Sequence, residues 1–153
     1  MTHAPEGYDC PFCGYAAGVR NEYGGGPEHV VERTATTLSF VSPRWWPRNP
    51  GHVIVVPTAH YENLYDVPYD VGGDLFAAAR RAALALKAAY GCPGTSTRQH
   101  NEPAGDQEVW HFHWHVFPRW PGDRLYEETG FGWADQGEMA ERAERLRAAY
   151  AGL

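Results

Sequence analysis

Short stretches in which apolar and polar residues alternate run through the chain, a pattern typical of β-strands with one buried face. They predict strands over residues 29–33, 36–42, 52–56, 95–100 and 109–117. The stretch 52–56 (HVIVV) is the most apolar of the five and is expected to be a buried strand. Pro118 is expected to end the last strand, because proline has no N–H to donate to a sheet.

Residues 74–90 repeat apolar side chains at intervals of three and four, which predicts a long amphipathic helix. Asp74 or Asp70 is expected to cap its start, and Gly91 is expected to end it. The apolar face of this helix is formed by Leu75, Ala79, Ala82, Leu86 and Ala89.

A second amphipathic helix is predicted over residues 136–150, where Asp135 and Glu138 form a capping-box arrangement. Its apolar face is formed by Met139, Ala143, Leu146 and Tyr150. The proline-containing residues 43–51 and the polar, aromatic-rich residues 119–134 are expected to be loops. About five strands, one long helix and one C-terminal helix predict an α+β fold with an antiparallel sheet.

The length of 153 residues predicts a single domain spanning residues 1–153. A formal net charge of −6 argues against binding to duplex nucleic acid, which requires a basic face. No apolar run approaches the roughly 20 residues of a membrane-spanning helix, so no membrane partner is expected. The first residues lack the basic and apolar segments of a signal peptide, and a cytoplasmic, reducing location is therefore expected.

Cys10 and Cys13 form a C-x-x-C pair, a spacing that allows one turn to offer two thiolates to one zinc ion. Two other interpretations remain open, namely a pair of free thiols or a redox pair. The redox interpretation is disfavoured because no βαβ pattern of the thioredoxin type follows the pair. Cys92, the third cysteine, is assigned no role.

Three histidines alternate with apolar residues in the segment HFHWHVFPR at residues 111–119. Because successive side chains of a strand point to opposite faces, His111, His113 and His115 are expected to share one face. On a regular strand His111 and His115 lie about 13 Å apart, so the three rings cannot easily hold one metal ion. The spacing therefore predicts that the three histidines have different roles.

The segment H-x-H-x-H, followed by two apolar residues and Pro-Arg, resembles the histidine triad (HIT) superfamily of nucleotide hydrolases and transferases. Residues 50–60 (PGHVIVVPTAH) are similar to the family's segment of Gly-His, an apolar strand and Pro-x-x-His. Residues 100–111 (HNEPAGDQEVWH) are similar to its Asn-x-x-x-Ala-Gly-x-Gln stretch. The resemblance covers residues 8–120 and leaves residues 121–153 as a further loop and the C-terminal helix.

The resemblance implies a HIT-like fold in which the sheets of two chains join side by side in a homodimer. It also implies a hydrolase whose substrate is a small nucleotide, attacked at its α-phosphorus. By position His113 is the nucleophile, and water then cleaves the nucleotidyl-histidine. An imidazole suits this role because its pKa near 6.5 leaves it neutral at pH 7. Histidine at position 115, where related transferases carry glutamine, favours the hydrolase branch.

Supporting roles are implied for other positions of the matched segments. His115 and Gln107 are expected to donate to phosphoryl oxygens or to the leaving group, and Asn101 to hold ribose or phosphate. His52 is expected to buttress the triad. The resemblance also implies a structural zinc ion, held by Cys10, Cys13, His60 and His111.

The loop after the second strand departs from the family's pattern. An aspartate or asparagine that binds the ribose is usual there, whereas this chain has Ser42 followed by a longer loop, PRWWPRNP. Ser42 substitutes for that residue, or Arg44 occupies its place. Trp45 and Trp46 either stack on a base or cover a dimer edge.

Two other classes of function remain open. A metal-dependent oxygenase or hydrolase would use His111 and His113 as joint metal ligands and would need no role for Cys10. A non-catalytic, zinc-stabilised module would bind nucleotides without turning them over.

Overall fold

A five-stranded antiparallel sheet forms the centre of the computed structural model, which describes residues 2–127 and 130–153. The strands are β1 (Val30–Arg33), β2 (Thr37–Val41), β3 (Arg44–Trp45), β4 (Val53–Pro57), β5 (Gly94–Gln99), β6 (Trp114–Arg119) and β7 (Gly132–Trp133). Within those ranges the α-helices are α1 (Pro11–Ala16), α2 (Tyr69–Tyr90) and α3 (Gln136–Ala151). The strand order β1-β2-β4-β6-β5 confirms the predicted α+β fold.

The two faces of the large sheet are covered by different helices. α2 and α3 pack on one face, where the predicted apolar positions of both helices are buried apart from the half-buried Ala89. Phe112 and Val116 lie in this core. α1 packs on the opposite face, with Tyr15 stacked on Phe40. The histidines that alternate with Phe112 and Val116 are therefore directed towards the face that α1 covers.

The helix α2 begins at Tyr69, earlier than predicted. Pro68 is its N-cap, so the prediction that Asp74 or Asp70 caps the helix is wrong. Proline has its φ already fixed near the helical value, at −61° here, so the chain passes directly from Pro68 into the first turn. Gly91 ends the helix with a φ of 67°, as predicted. Across the described residues, no helix combines the length and apolar character needed to cross a membrane.

Two segments predicted as loops form a second, two-stranded sheet. Arg44 of β3 pairs with Trp133 of β7, and Trp45 pairs with Gly132. This pairing holds the chain before α3 against the loop that follows β2. The Asp135 side chain then caps α3, as predicted, by accepting hydrogen bonds from the first backbone N–H groups of the helix.

The strand β6 begins at Trp114 and continues through Pro118 to Arg119, so both predicted ends are wrong. The residues before Trp114 do not pair with a neighbouring strand, because their backbone groups have other partners. The N–H of Phe112, for example, donates to the Tyr61 carbonyl at 2.6 Å. Pro118 is tolerated because the ladder between β4 and β6 ends at Val116. No β4 residue therefore lies opposite the proline to accept a hydrogen bond.

Asp123, in the loop after β6, is a buried carboxylate held by several donors. Both of its oxygens accept hydrogen bonds from Arg119, at 2.7 and 2.8 Å, and one also accepts from the Asn49 amide at 2.8 Å. The Arg119 guanidinium is the main reason that the pKa of Asp123 is well below its usual range.

We expect Asp123→Asn to lower the free energy of unfolding by about 2–4 kcal/mol at pH 7, because Arg119 loses its buried partner. The carboxylate stabilises the fold above its unfolded-state pKa of about 3.9, and this contribution is lost as the pH falls below that value. Urea unfolding should therefore show a smaller difference between wild type and variant at pH 3 than at pH 7. Equal differences at both pH values would contradict the assignment.

The matched control is Glu127→Gln. Glu127 forms an ion pair with Arg124, and both side chains are exposed. Exposed pairs contribute little, so the expected change is below about 0.5 kcal/mol.

Candidate active site and metal centre

A cavity of about 390 Å³ opens on the sheet face that α1 covers. Side chains from α1, β4, β5 and β6 and from the small sheet meet there. Its wall includes Phe12, Tyr15, Ser42, Arg44, Trp46, His52, Arg98, His100, His113, His115 and Phe117. A cavity with one aromatic wall and several imidazoles suits a ligand that has a flat ring and a polar group.

His113 lies just before β6, and its side chain is only 6% exposed. Its Nδ1 lies 2.7 Å from the backbone oxygen of His111. A carbonyl can only accept, so Nδ1 carries the proton and donates it, and Nε2 keeps a free lone pair. Burial lowers the pKa of His113 to about 4, so the ring is neutral at pH 7. The ring is thus a neutral nucleophile of fixed tautomer that lines the cavity.

His115 and His52 form a hydrogen-bonded pair beside His113. His52 Nε2 lies 3.1 Å from His115 Nδ1, and the rings of His113 and His115 are 5.0 Å apart. Burial lowers the pKa of His52 to about 3 and that of His115 well below its usual range, so both rings are neutral.

The protonation of this pair follows from its surroundings. The buried Nδ1 of His52 has no hydrogen-bond partner among the residues that the structure describes. An unpaired N–H is costlier than an unpaired lone pair, so His52 carries its proton on Nε2 and donates it to His115. His115 then carries its own proton on Nε2.

Gln107 and Asn101 do not line the cavity. The buried amide of Gln107 donates to the backbone oxygens of Glu62 and Val109 and accepts from the N–H of Glu102. Asn101 accepts from the N–H of Leu64 at 2.8 Å and is also bonded to the neighbouring Gln99 amide. Gln107 and Asn101, both predicted to contact the ligand, therefore hold the loop after β5 in place.

Ser42 and Arg44 both line the cavity, at the end of β2 and in β3. The Ser42 hydroxyl hydrogen bonds with the backbone of Arg44, and the Arg44 guanidinium donates to Glu108 at 2.5 Å. Of the two tryptophans, Trp46 faces the cavity and contacts the ring of His52. Trp45 is turned into the core, where its N–H donates to the Ser42 carbonyl.

Two cavity residues, Arg98 and His100, are absent from the sequence-based site. His100 Nδ1 donates to the Gly105 carbonyl at 2.7 Å, and its ring lies 6.4 Å from that of His115. Arg98 lies directly across from His115 in the pairing of β5 with β6. The alternation of β5 places positions 98 and 100 on one face, but only the pairing register shows that this is the histidine face.

A second group of side chains, the Cys/His cluster, lies beside the triad. It consists of Cys10, Cys13, His60 and His111, and one ligand atom from each lies within 4.8 Å of all the others. Cys10 Sγ is 3.3 Å from His111 Nδ1, and Cys13 Sγ is 3.3 Å from His60 Nδ1. Zinc bonds of about 2.0–2.3 Å in a tetrahedron require ligand atoms to lie about 3.3–3.8 Å apart, a spacing that both of these pairs have.

The tautomer of His111 supports this fit. Its Nε2 lies 3.0 Å from the Pro57 carbonyl and therefore donates to it, which leaves the unprotonated Nδ1 facing the thiols. A metal-binding histidine commonly has its other nitrogen held in this way. His113 is not part of the cluster. The geometry thus favours a Cys₂His₂ set over a site shared by His111 and His113.

Comparison with known proteins finds relatives of this chain. The HIT domain family matches residues 26–122. An uncharacterized HIT-like protein of Saccharolobus solfataricus is 31% identical over 114 residues, which cover 74% of this chain and 76% of that protein. Adenosine 5′-monophosphoramidase of Saccharomyces cerevisiae is 32% identical over 110 residues, which cover 72% of this chain and 62% of that enzyme.

A solved structure matches the fold as well. The crystal structure of a zinc-bound histidine triad family protein from Mycobacterium smegmatis has a TM-score of 0.75 to this chain. The two are 27% identical, and the match covers 94% of each chain. This chain belongs to the HIT domain family.

Proposed function

We propose that the protein is a hydrolase that cleaves a nucleoside 5′-phosphate ester, anhydride or phosphoramidate at the α-phosphorus. The observation that carries this proposal is His113, a buried neutral imidazole whose Nδ1 proton is bound by the His111 carbonyl. The similarity to a yeast adenosine 5′-monophosphoramidase supports the same class of reaction.

The proposed reaction has two displacements at phosphorus. His113 Nε2 attacks the α-phosphorus, and the bond between phosphorus and the leaving group breaks. His115, whose Nε2 carries a proton, donates a hydrogen bond to the leaving group, and the proton that the leaving group needs comes from solvent. Water then attacks the nucleotidyl-histidine and gives its proton to solvent, and the phosphorus–nitrogen bond breaks to release a nucleoside 5′-monophosphate and restore the neutral ring of His113.

Other residues hold the nucleotide or the site around it. Phe12, Tyr15 and Trp46 form the aromatic wall against which the base would lie, and Ser42 and Arg44 line the adjoining wall, where the ribose would lie. Gln107 and Asn101 act as positioning residues, because their hydrogen bonds fasten the loop between β5 and β6.

We also propose that the Cys/His cluster holds a structural zinc ion. Four ligands close the coordination shell, so the metal would fasten α1 to the sheet without taking part in the reaction. The zinc-bound mycobacterial relative supports this assignment.

The proposal extends to the organisation of the protein. Residues 1–153 form one domain, because α3 contributes to the same core as α2 and the sheet. β5 lies at the edge of the large sheet, where a second chain can add its own sheet to form a homodimer. Cysteines that are free in the structure suit a reducing, cytoplasmic location.

The direct test is the release of nucleoside monophosphate from adenosine and guanosine 5′-phosphoramidates and from dinucleoside polyphosphates. We expect the wild-type protein to release AMP or GMP from at least one of these compounds. Binding of the same compounds without any release would contradict the hydrolase and support a nucleotide-binding module.

A further inference from the structure

Arg98 is a cation in the cavity for which the proposed reaction has no role. Its guanidinium lies over the rings of Phe117 and Trp46, at 4.9 and 5.1 Å from their centres. The Nε and Nη2 atoms are buried, and neither has a hydrogen-bond partner among the residues that the structure describes. Both donors are closed to solvent, so a ligand would reach the guanidinium from the side on which Arg98 lines the cavity. A desolvated cation at the wall of the cavity suits an anionic ligand group.

The acidic side chains of the cavity do not supply that partner. Glu108 is bound by Arg44, and Asp106, which also lines the cavity, makes no hydrogen bond to Arg98. The nearby Arg119 is paired with Asp123. Within residues 2–127 and 130–153 no carboxylate pairs with Arg98, so an oxygen anion that enters the cavity with the substrate can do so.

The position of Arg98 distinguishes this anion from the phosphate that reacts. Phe117, beneath the guanidinium, lies four residues after His113, a distance of about 13 Å along an extended chain. Arg98 also faces His115 across the sheet rather than His113. The Arg98 guanidinium therefore lies beyond His115, away from the phosphorus that would react at His113.

We propose that Arg98 binds a second phosphate group of the substrate, separate from the phosphate that reacts at His113. This inference rests on the proposed function and narrows its substrate class to nucleotides that carry two or more phosphates. Two parts of the substrate could carry this second phosphate. The second phosphate lies either in the leaving group or on the ribose of the nucleotide.

The test compares ligands that differ only in the second phosphate. AMP has one phosphate, ADP carries the second in its chain, and 3′-phosphoadenosine 5′-phosphate carries it on the ribose. Binding is measured by titration calorimetry in the His113→Ala background, which removes the nucleophile so that the ligands stay intact. The variant Arg98→Met keeps an unbranched side chain between Phe117 and Trp46 and removes the guanidinium. Arg80→Met is the matched control, because Arg80 is exposed on α2.

We expect Arg98→Met to weaken the binding of ADP or of the 3′-phosphorylated ligand by about 10- to 100-fold, as for a lost charge-assisted hydrogen bond. The compound that responds identifies the source of the phosphate. Binding of the singly phosphorylated ligand should change by less than about threefold, and Arg80→Met should leave all three affinities unchanged within that range.

Equal weakening of all three ligands would overturn the proposal, because it would mean that Arg98 supports the cavity or the reacting phosphate. Unchanged affinities would also overturn it, including the case in which Arg98→Met alters only the oligomeric state. These binding measurements do not need turnover. Failure of the hydrolase proposal, seen as no monophosphate release by the wild type, is therefore distinguishable from failure of this one.

Discussion

Replacing His113 with alanine is expected to abolish the hydrolysis of every nucleotide substrate that the wild-type protein cleaves. The first displacement needs the lone pair of His113 Nε2, and the adjacent His115 has no free lone pair to offer in its place. His115 Nδ1 accepts from His52, and the proton of His115 lies on its other nitrogen. Loss of the nucleophile in enzymes that use covalent catalysis lowers kcat by several orders of magnitude, so we expect a decrease of about 10⁴-fold or more.

The measurement is single-turnover release of nucleoside monophosphate by the wild type and by His113→Ala. The matched control is His3→Ala, since His3 lies outside the cavity, where it contacts Glu62 and Trp110. The control should keep its rate within about twofold, as expected for a substitution away from the site. Nucleotide release by His113→Ala at the wild-type rate would show that His113 is not the nucleophile.

Replacing Cys10 with serine is expected to remove zinc from the protein. Serine is a poor zinc ligand, and the remaining Cys13, His60 and His111 would leave the coordination shell incomplete. Since the metal would fasten α1 to the sheet, its loss should lower the free energy of unfolding by at least about 3 kcal/mol. For a chain of this size that corresponds to a decrease in Tm of about 6–12 °C.

Metal analysis of the purified protein should find about one zinc ion per chain in the wild type and almost none in Cys10→Ser. Cys13→Ser, whose thiol is half-buried, is a second variant that should give the same result if Cys10→Ser folds poorly. Cys92→Ala is the control, because Cys92 lies in the core away from the cluster and should leave the zinc content unchanged. Full zinc content in both serine variants would contradict the assignment of the site.

The alternation of side chains over residues 111–117 could be predicted from the sequence because it depends only on extended backbone. Phe112 and Val116 are buried under the helices, and His113 and His115 line the opposite face. The start of the strand could not be predicted in this way. The His111 carbonyl accepts a hydrogen bond from the ring of His113, so this part of the backbone bonds to a site residue instead of to a neighbouring strand.

Which side chains line the cavity depends on contacts between distant parts of the chain. Arg98 enters the site through the register between β5 and β6, which no local pattern in β5 reveals. Asn101, three residues later, is directed to the backbone of Leu64 instead. Similarly, the choice between Trp45 and Trp46 follows from the pairing of β3 with β7, two short strands that the sequence predicted as loops.

Direct observation of the covalent intermediate tests the central claim. The wild-type protein would be mixed with a cleaved substrate, quenched at alkaline pH within one turnover, digested and examined by mass spectrometry. We predict that the mass of one nucleoside monophosphate group is added at His113 and that this adduct is absent in His113→Ala. Monophosphate release in the same samples without any adduct, or with the adduct on another residue, would contradict the account.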